Sequence, residues 1–257
     1  MSAALPADFL RRPLAHRGLH DRKAGVIENS RAAIRAGLAA GYGIEIDLQL
    51  SADGAAMVFH DAALGRLTAE TGRVRERGAA ELGAIALKGG GETIPTFAEV
   101  LEIVAGRAPL LVEIKDQDGA MGPDTGTLER AAARDLAGYS GPVAVMSFNP
   151  HAVAAFAEAA PGIPRGLTTE AWRPSLSHPV ARARRAELRA IPDYDRIGAC
   201  FISHEAADLA RPRVAELRAA GAAVLCWTIR SEAAERKARR VAQNITFEGY
   251  RAAIPAA

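Results

Sequence analysis

Ile44, Ile46, Leu48 and Leu50 alternate with Glu45, Asp47 and Gln49 in the stretch GYGIEIDLQLSADGAAMVFHD, residues 41 to 61. Successive side chains of a strand point to opposite faces, so Glu45 and Asp47 share one face and the aliphatic residues the other. A solvated strand could carry such a pattern. A strand covered by helices on its outer face instead turns the two carboxylates inward, where burial without a partner is costly. Residues two apart on a strand lie about 6.6 Å apart, and such carboxylates can lean together onto one ion at roughly 2.0–2.6 Å. Glu113, in PLLVEIK, has the same phase on a second strand. Three carboxylates without a thiolate suit one hard divalent cation, Mg²⁺ or Ca²⁺. His16, in PLAHRG, and His60, in VFHD, supply the side chain best suited to proton transfer near neutral pH. The Arg17 guanidinium and the Lys115 ammonium suit phosphate oxygens. Trp227 serves either as a pocket wall or as core packing. His204 sits at another strand end, and His20, His151 and His178 read as loop or helix-start residues.

These groups need a frame that gathers strand ends. Short apolar, β-branched runs occupy 13–18, 43–50, 109–115, 142–148, 164–169, 198–203, 223–229 and 244–249. Ala-, Leu- and Arg-rich stretches of helical period lie between them, at 30–40, 97–105, 127–137, 150–159, 208–219 and 231–241. Asn149-Pro150 and Ser231-Glu232 are expected helix starts, and Gly41 and Gly221 expected stops. Eight strands with helical crossovers predict an α/β fold, a TIM (β/α)₈ barrel in which chemistry gathers at the C-terminal strand ends. Residues 51–95 are too long for an ordinary strand-to-helix loop and contain a further strand-like run, AAMVFHD, so a small insertion after the second strand is expected. No internal repeat or linker divides the chain, which reads as a single domain over 1–257.

Composition excludes several classes. Hydrophobic residues make up 49% of the 257, enough for a full core, and the net charge of +2 gives no argument for nucleic acid. The N-terminus MSAALPADFLRRP does not read as a signal peptide, and no run reaches the roughly 20 apolar residues of a membrane span. Cys200 and Cys226 lie in apolar runs and read as buried thiols without a disulfide. A cytoplasmic location is the expectation.

The sequence resembles the glycerophosphodiester phosphodiesterase family. The resemblance runs from LAHRG through ENSRAAIRAGLAAGYGIEIDLQLSADGAAMVFHDAALGRLTAETGRV to ELGAI, IPTFAEVLE and LLVEIK, strongest over 13–116 and weaker to 249. It implies a barrel with a small insertion after the second strand. It also implies metal ligands at Glu45, Asp47 and Glu113, acid/base histidines at His16 and His60, phosphate contacts at Arg17 and Lys115, and the family's Glu-Asn motif at Glu28 and Asn29. The implied reaction splits small glycerophosphodiesters, such as glycerophosphocholine or glycerophosphoethanolamine, into an alcohol and sn-glycerol 3-phosphate. A homodimer is compatible with it. Ser30 stands where Thr is usual. The terminal NITFEGYRAAIPAA replaces the usual Asp-rich turn and last helix, so the eighth helix is expected to be short or absent. Lysophospholipase D chemistry at the same site is a rival, disfavoured because residues 62–93 carry no aromatic side chain. A metal-dependent lyase or isomerase fits less well with Arg17 beside His16. A catalytically inactive binding module would be expected to lack a histidine or a carboxylate of this set.

Overall fold

The computed structural model describes residues 3–174 and 180–255, so His178 lies outside the described residues. In chain order the elements are α1 (Asp8–Arg11), β1 (Leu14–Ala15), α2 (Arg31–Ala39), β2 (Gly43–Leu50), β3 (Ala56–Val58), α3 (Ala79–Ala84) and α4 (Phe97–Val104). There follow β4 (Leu110–Ile114), α5 (Thr127–Asp135), β5 (Val143–Ser147), α6 (Pro150–Ala159), β6 (Arg165–Thr169) and α7 (Arg182–Ala190). The chain ends with β7 (Phe201–Glu205), α8 (Pro212–Ala219), β8 (Ala223–Ile229), α9 (Glu232–Ala238) and β9 (Asn244–Phe247). The sheet order β1-β9-β8-β7-β6-β5-β4-β2 closes through parallel pairing of β1 with β2, giving an eight-stranded parallel barrel. β3 pairs antiparallel with β2, outside the closed ring.

The alternation of β2 is what the barrel uses. Ile44, Ile46 and Leu48 are fully buried against Ile34 of α2 and Phe97, Val100 and Val104 of α4. The opposite face points into the barrel. There the lower layer is apolar: Leu14, Leu111, Ala144, Phe201 and Leu225 pack together, with Phe9 of α1 beneath them. Glu45 pairs with Leu111 and Asp47 with Glu113, so one step up the same face the lining changes from hydrocarbon to carboxylate. Gly166 of β6 is required by this packing, because a Cβ there would sit 2.6 Å from the Phe201 ring.

The helices start where their caps are. Ser30 Oγ accepts the Ala33 N–H at 3.1 Å, so serine performs the capping in place of threonine. Thr96 and Glu99 form a capping box on α4, and Asn149 caps α6 with Pro150 in its first turn. Ser231 caps α9. Gly41 and Gly221, with φ of 79° and 98°, end α2 and α8 as expected.

Four features depart from the sequence expectation. β1 spans only two residues, because Arg17 turns away at φ 55°. Helix α7 was not anticipated; its only buried residue is Leu188, too little for an apolar period. Helix α3, inside the 51–95 insertion, buries only Leu82. Cys200 is half-buried rather than buried, with Sγ 3.5 Å from the Arg165 carbonyl, whereas Cys226 is fully buried as expected. No disulfide joins them. Residues 248–255 form no helix, as the terminal sequence suggested. Instead the Tyr42 hydroxyl donates to the Ala252 carbonyl at 2.7 Å and the Tyr250 hydroxyl to Glu235 Oε2 at 2.9 Å. Among the described residues no helix is long and apolar enough to cross a membrane.

Candidate active site

Glu45, Asp47 and Glu113 meet at the mouth of the barrel, each offering an oxygen within 4.8 Å of the others, and all three are buried. Burial, and then the charges of Asp47 and Glu113, push the Glu45 carboxyl well above the usual carboxylate range. Burial also works against the Asp47 anion, but the Lys115 ammonium, then His60 and Arg17, hold that carboxyl far below its usual value. Lys115 Nζ lies 2.7 Å from Asp47 Oδ1 and also contacts Glu113 Oε1. The cluster therefore holds more negative charge than Lys115 neutralises, which disfavours the Glu45 anion. Three buried carboxylates this close together suit a hard divalent cation, which would take the place of the proton on Glu45.

The two histidines are each fixed through Nδ1. His16 Nδ1 lies 2.5 Å from Glu248 Oε2, and His60 Nδ1 lies 2.7 Å from Asp61 Oδ1. An ionised carboxylate can only accept, so Nδ1 carries the hydrogen in both rings and Nε2 is left for proton transfer. Glu248 is held far below its usual pKa: its burial is overcome by the bonds from His16 and His20 and by the Arg230 charge. Asp61 is held low in the same way by His60 and Arg66. Burial lowers the pKa of His16 itself, against the pull of Glu248. His16 Nε2 stands 4.0 Å from Glu45 Oε2, at the edge of the carboxylate cluster.

Arg17 is placed by unusual backbone. Its φ of 55° lies in the left-handed region, strained for a side chain of this kind, and its N–H donates to Glu45 Oε2 at 2.9 Å. Gly18 follows at φ 76°, where a Cβ would lie 2.8 Å from the Ala33 backbone. The Arg17 guanidinium donates to Glu28 Oε1 at 2.6 Å and approaches Asp47 Oδ2 at 3.4 Å. Asn29, also left-handed at φ 57°, donates to Asp47 Oδ2 at 2.9 Å. Arg66 reaches in from the insertion. Its Nη1 and Nη2 donate to the two Glu28 oxygens at 2.8 Å each, and its Nε donates to Asp61 Oδ2 at 2.5 Å. One arginine thus grips the carboxylate behind Arg17 and the carboxylate behind His60.

All eight residues singled out from the sequence converge. His16, Arg17, Glu45, His60, Glu113, Lys115 and Trp227 line a cleft of about 150 Å³, and Asp47 lies beneath it, bonded to Lys115. Trp227 is half-buried, with Nε1 donating to the Ser203 carbonyl at 3.0 Å. His204 is a structural residue: fully buried, it has Thr169 Oγ1 at 2.8 Å on Nδ1 and Asp208 Oδ2 at 3.2 Å on Nε2. His20 is more than a loop residue, since its Nε2 lies 3.6 Å from Glu248. Sequence reasoning missed Glu248, Asp61, Arg66 and Arg230. Asp61 could have been found as the immediate neighbour of His60; Glu248 has no local signal.

Residues 16–245 match the profile of the Glycerophosphoryl diester phosphodiesterase family. The chain belongs to this family. Among curated relatives of the family, a glycerophosphodiester phosphodiesterase of Caldanaerobacter subterraneus subsp. tengcongensis is 38% identical over 113 residues, 41% of this chain and 45% of that protein. One of Bacillus altitudinis is 36% identical over 108 residues, 39% of this chain and 43% of that protein. The chain thus spans less than half the length of the curated relatives it matches. Proteins of known structure match over far more. A phosphodiesterase of Oleispira antarctica, solved in complex with the product sn-glycerol-3-phosphate, superposes with a TM-score of 0.75 at 25% identity, over 93% of each chain. A glycerophosphodiester phosphodiesterase of Agrobacterium tumefaciens gives 0.67 at 24% identity, over 92% of this chain and 96% of that one, a likeness of fold.

Proposed function

We propose that this protein is a metal-dependent glycerophosphodiester phosphodiesterase, releasing sn-glycerol 3-phosphate and an alcohol through its two histidines. The observation that carries the reading is the set of three buried carboxylates within 4.8 Å, rimmed by Arg17 and Lys115 and flanked by two histidines each held on Nδ1 by a carboxylate. Membership of the family and the glycerol-3-phosphate bound by the Oleispira relative support the same reaction class.

Glu45, Asp47 and Glu113 would hold a divalent cation, which when bound would supply positive charge against that developing on the phosphoryl oxygens. Arg17 and Lys115 bring two positive charges to the rim of the cluster, where a phosphodiester monoanion is attracted and oriented. His16 and His60 present Nε2 to the cleft. One takes the proton of the attacking hydroxyl or water, and the other gives a proton to the departing alcohol oxygen. Glu248 and Asp61 hold the two rings in the required tautomer and stabilise the imidazolium form. The catalytic unit is the whole barrel, because its groups come from β2, β4 and the segments after β1, β3, β4 and β9.

The test is release of glycerol 3-phosphate from a glycerophosphodiester by purified protein supplied with Mg²⁺ or Ca²⁺, followed with a coupled dehydrogenase. Activity should vanish with chelator and return with the cation. Full turnover in chelator-treated, metal-free protein would overturn the metal reading, and no release from any glycerophosphodiester the reaction itself.

A further inference from the structure

A second cavity opens beside the mouth of the barrel and shares no lining residue with the catalytic cleft. Its volume is about 530 Å³, and it lies between the loop after β1, residues 18–23, and the end of β9 with the residues that follow, 247–251. We propose that this cavity is a second anion site, in which Arg22, Lys23 and Arg251 receive the phosphate of a phosphomonoester while Leu19 and Tyr250 receive its organic part. The site is distinct from the one that the phosphodiesterase reading uses, and it stands or falls separately.

The positive charge of this cavity has no partner. Arg22, Lys23 and Arg251 all line it, all are exposed, and none makes a side-chain hydrogen bond or ion pair among the described residues. In the cleft, by contrast, Lys115 is held by Asp47 and Glu113, and Arg17 by Glu28. The two carboxylates of the cavity wall are already engaged. Asp21 Oδ1 accepts the N–H groups of Lys23 and Ala24 at 3.0 and 3.3 Å. Glu248 Oε2 lies 2.5 Å from His16 Nδ1 and 3.6 Å from His20 Nε2, and Arg230 Nε and Nη2 stand 2.8 and 2.7 Å from Glu248 Oε1. With Glu248 met by these neighbours, Asp21 is left against three cations. Like charges gathered around one space repel, and an anion placed among them reverses that interaction.

Both walls are set before any ligand arrives. Arg22 and Lys23 sit on a turn closed by two backbone bonds between Asp21 and Val26, at 2.9 and 3.0 Å. Arg251 lies between two anchored residues. The Tyr250 hydroxyl donates to Glu235 Oε2 at 2.9 Å, and the Tyr250 ring packs edge-to-face on Phe247 with centroids 5.5 Å apart. The Ala252 carbonyl accepts from the Tyr42 hydroxyl at 2.7 Å. With the backbone fixed on both sides, the ordering cost of binding falls only on the three cationic side chains.

The mixture of surfaces selects the ligand. Three cations suit a dianion better than the single charge of a carboxylate or a phosphodiester, and guanidinium forks match phosphate oxygens. Leu19 and Tyr250 are half-buried and present hydrocarbon and ring surface to an organic substituent. The volume is in the range of small-molecule pockets, roughly 300–1,000 Å³. A phosphomonoester brings both the double charge and a compact organic body.

The experiment is isothermal titration of the Mg²⁺-supplied protein with phenyl phosphate, set against the same titration of a variant carrying Arg22→Ala, Lys23→Ala and Arg251→Ala. The three residues are exposed and outside the cleft, so the variant should fold and keep its turnover. It should lose one binding event per chain. That loss is the same whether or not the cleft also binds the ligand, so a failure of the phosphodiesterase reading leaves the comparison intact. On the unaltered protein, inorganic phosphate should bind this site about tenfold more weakly than phenyl phosphate, because it covers none of the roughly 50 Å² of apolar surface that the ring would remove from water. Phenol, which lacks the anion, should not bind. An equal number of binding events in the variant overturns the site. Phenol binding as tightly as phenyl phosphate overturns it as well, since the cations would then play no part. Equal affinity for inorganic phosphate and phenyl phosphate overturns the monoester assignment in favour of the free ion.

Discussion

Arg66→Ala separates the role of the insertion in chemistry from its role in stability. Arg66 makes three hydrogen bonds, two to Glu28 and one to Asp61. Burial works against the Glu28 anion, but Arg66 and Arg17 together hold its pKa at about 2, against a usual 4.5. A depression of that size corresponds to about 3 kcal/mol of interaction shared between the two arginines. Arg66 has a side-chain exposure of 42%, so solvent screens its part, and about 1 kcal/mol is the share to expect. For a domain of this size such a loss lowers Tm by about 2–4 °C. Turnover should suffer more. Without Arg66, Asp61 is free to rotate and His60 loses its fixed orientation, while Glu28 no longer braces Arg17. Loss of supporting contacts behind a reacting group commonly lowers activity about 10- to 100-fold. Arg66→Lys should recover little, because an ammonium cannot fork across Glu28 and reach Asp61 as well. The assay pairs kcat and KM from glycerol 3-phosphate release with a thermal melt of the same sample. A kcat within twofold of the unaltered protein would refute the reasoning. So would a Tm drop above 10 °C with full activity in the fraction still folded.

Glu248→Gln should lower kcat about 10- to 100-fold with the fold intact, because an amide can bond His16 but does not stabilise its charged form; an unchanged kcat would remove Glu248 from the catalytic set. Glu45 gives a pH signature in metal-free protein: its folded pKa is raised, so its contribution to stability is present in acid and is lost as pH rises from about 4.5 through the raised value. Added Mg²⁺ or Ca²⁺ should therefore raise Tm more at pH 8 than at pH 5 and release protons on binding; equal shifts at both pH values would contradict the coupled cluster. The Cys226 thiol is pushed up to about 12 by burial, so it should resist thiol reagents at pH 8 and Cys226→Ser should retain turnover; rapid labelling of native protein at this position would show the burial to be wrong.

The barrel and half the site could be read from sequence because both rest on local pattern. The alternation of β2 puts Ile44, Ile46 and Leu48 against helices and Glu45 and Asp47 inside, and the register of β4 follows from the same phase at Glu113. His60 is legible because it ends an apolar run, and its partner Asp61 is adjacent. What sequence could not give is side-chain reach across elements. Arg66 lies 38 residues from Glu28, in a stretch with no strong period, and only the fold of the insertion brings the two together. Helix α7 escaped because a helix with one buried residue carries almost no apolar signal.

Glu248 illustrates the deeper reason. It lies 232 residues from His16, and the two meet only where the first strand of the barrel pairs with the last. That seam is short: Leu14 pairs with Thr246 and Ala15 with Phe247, and the His16 N–H donates to the Phe247 carbonyl at 2.9 Å. The backbone bond that ends the seam therefore belongs to the same residue whose ring Glu248 orients. The other arm needs no such closure, because His60 takes its carboxylate from the next residue. The two histidines thus depend on the fold in different ways. Loosening at the β1–β9 seam would part His16 from Glu248 and leave the His60–Asp61 pair intact, whereas loosening of the insertion would release Arg66 and disturb His60 first. Two histidines that look alike in the sequence are held one by barrel closure and the other by the insertion.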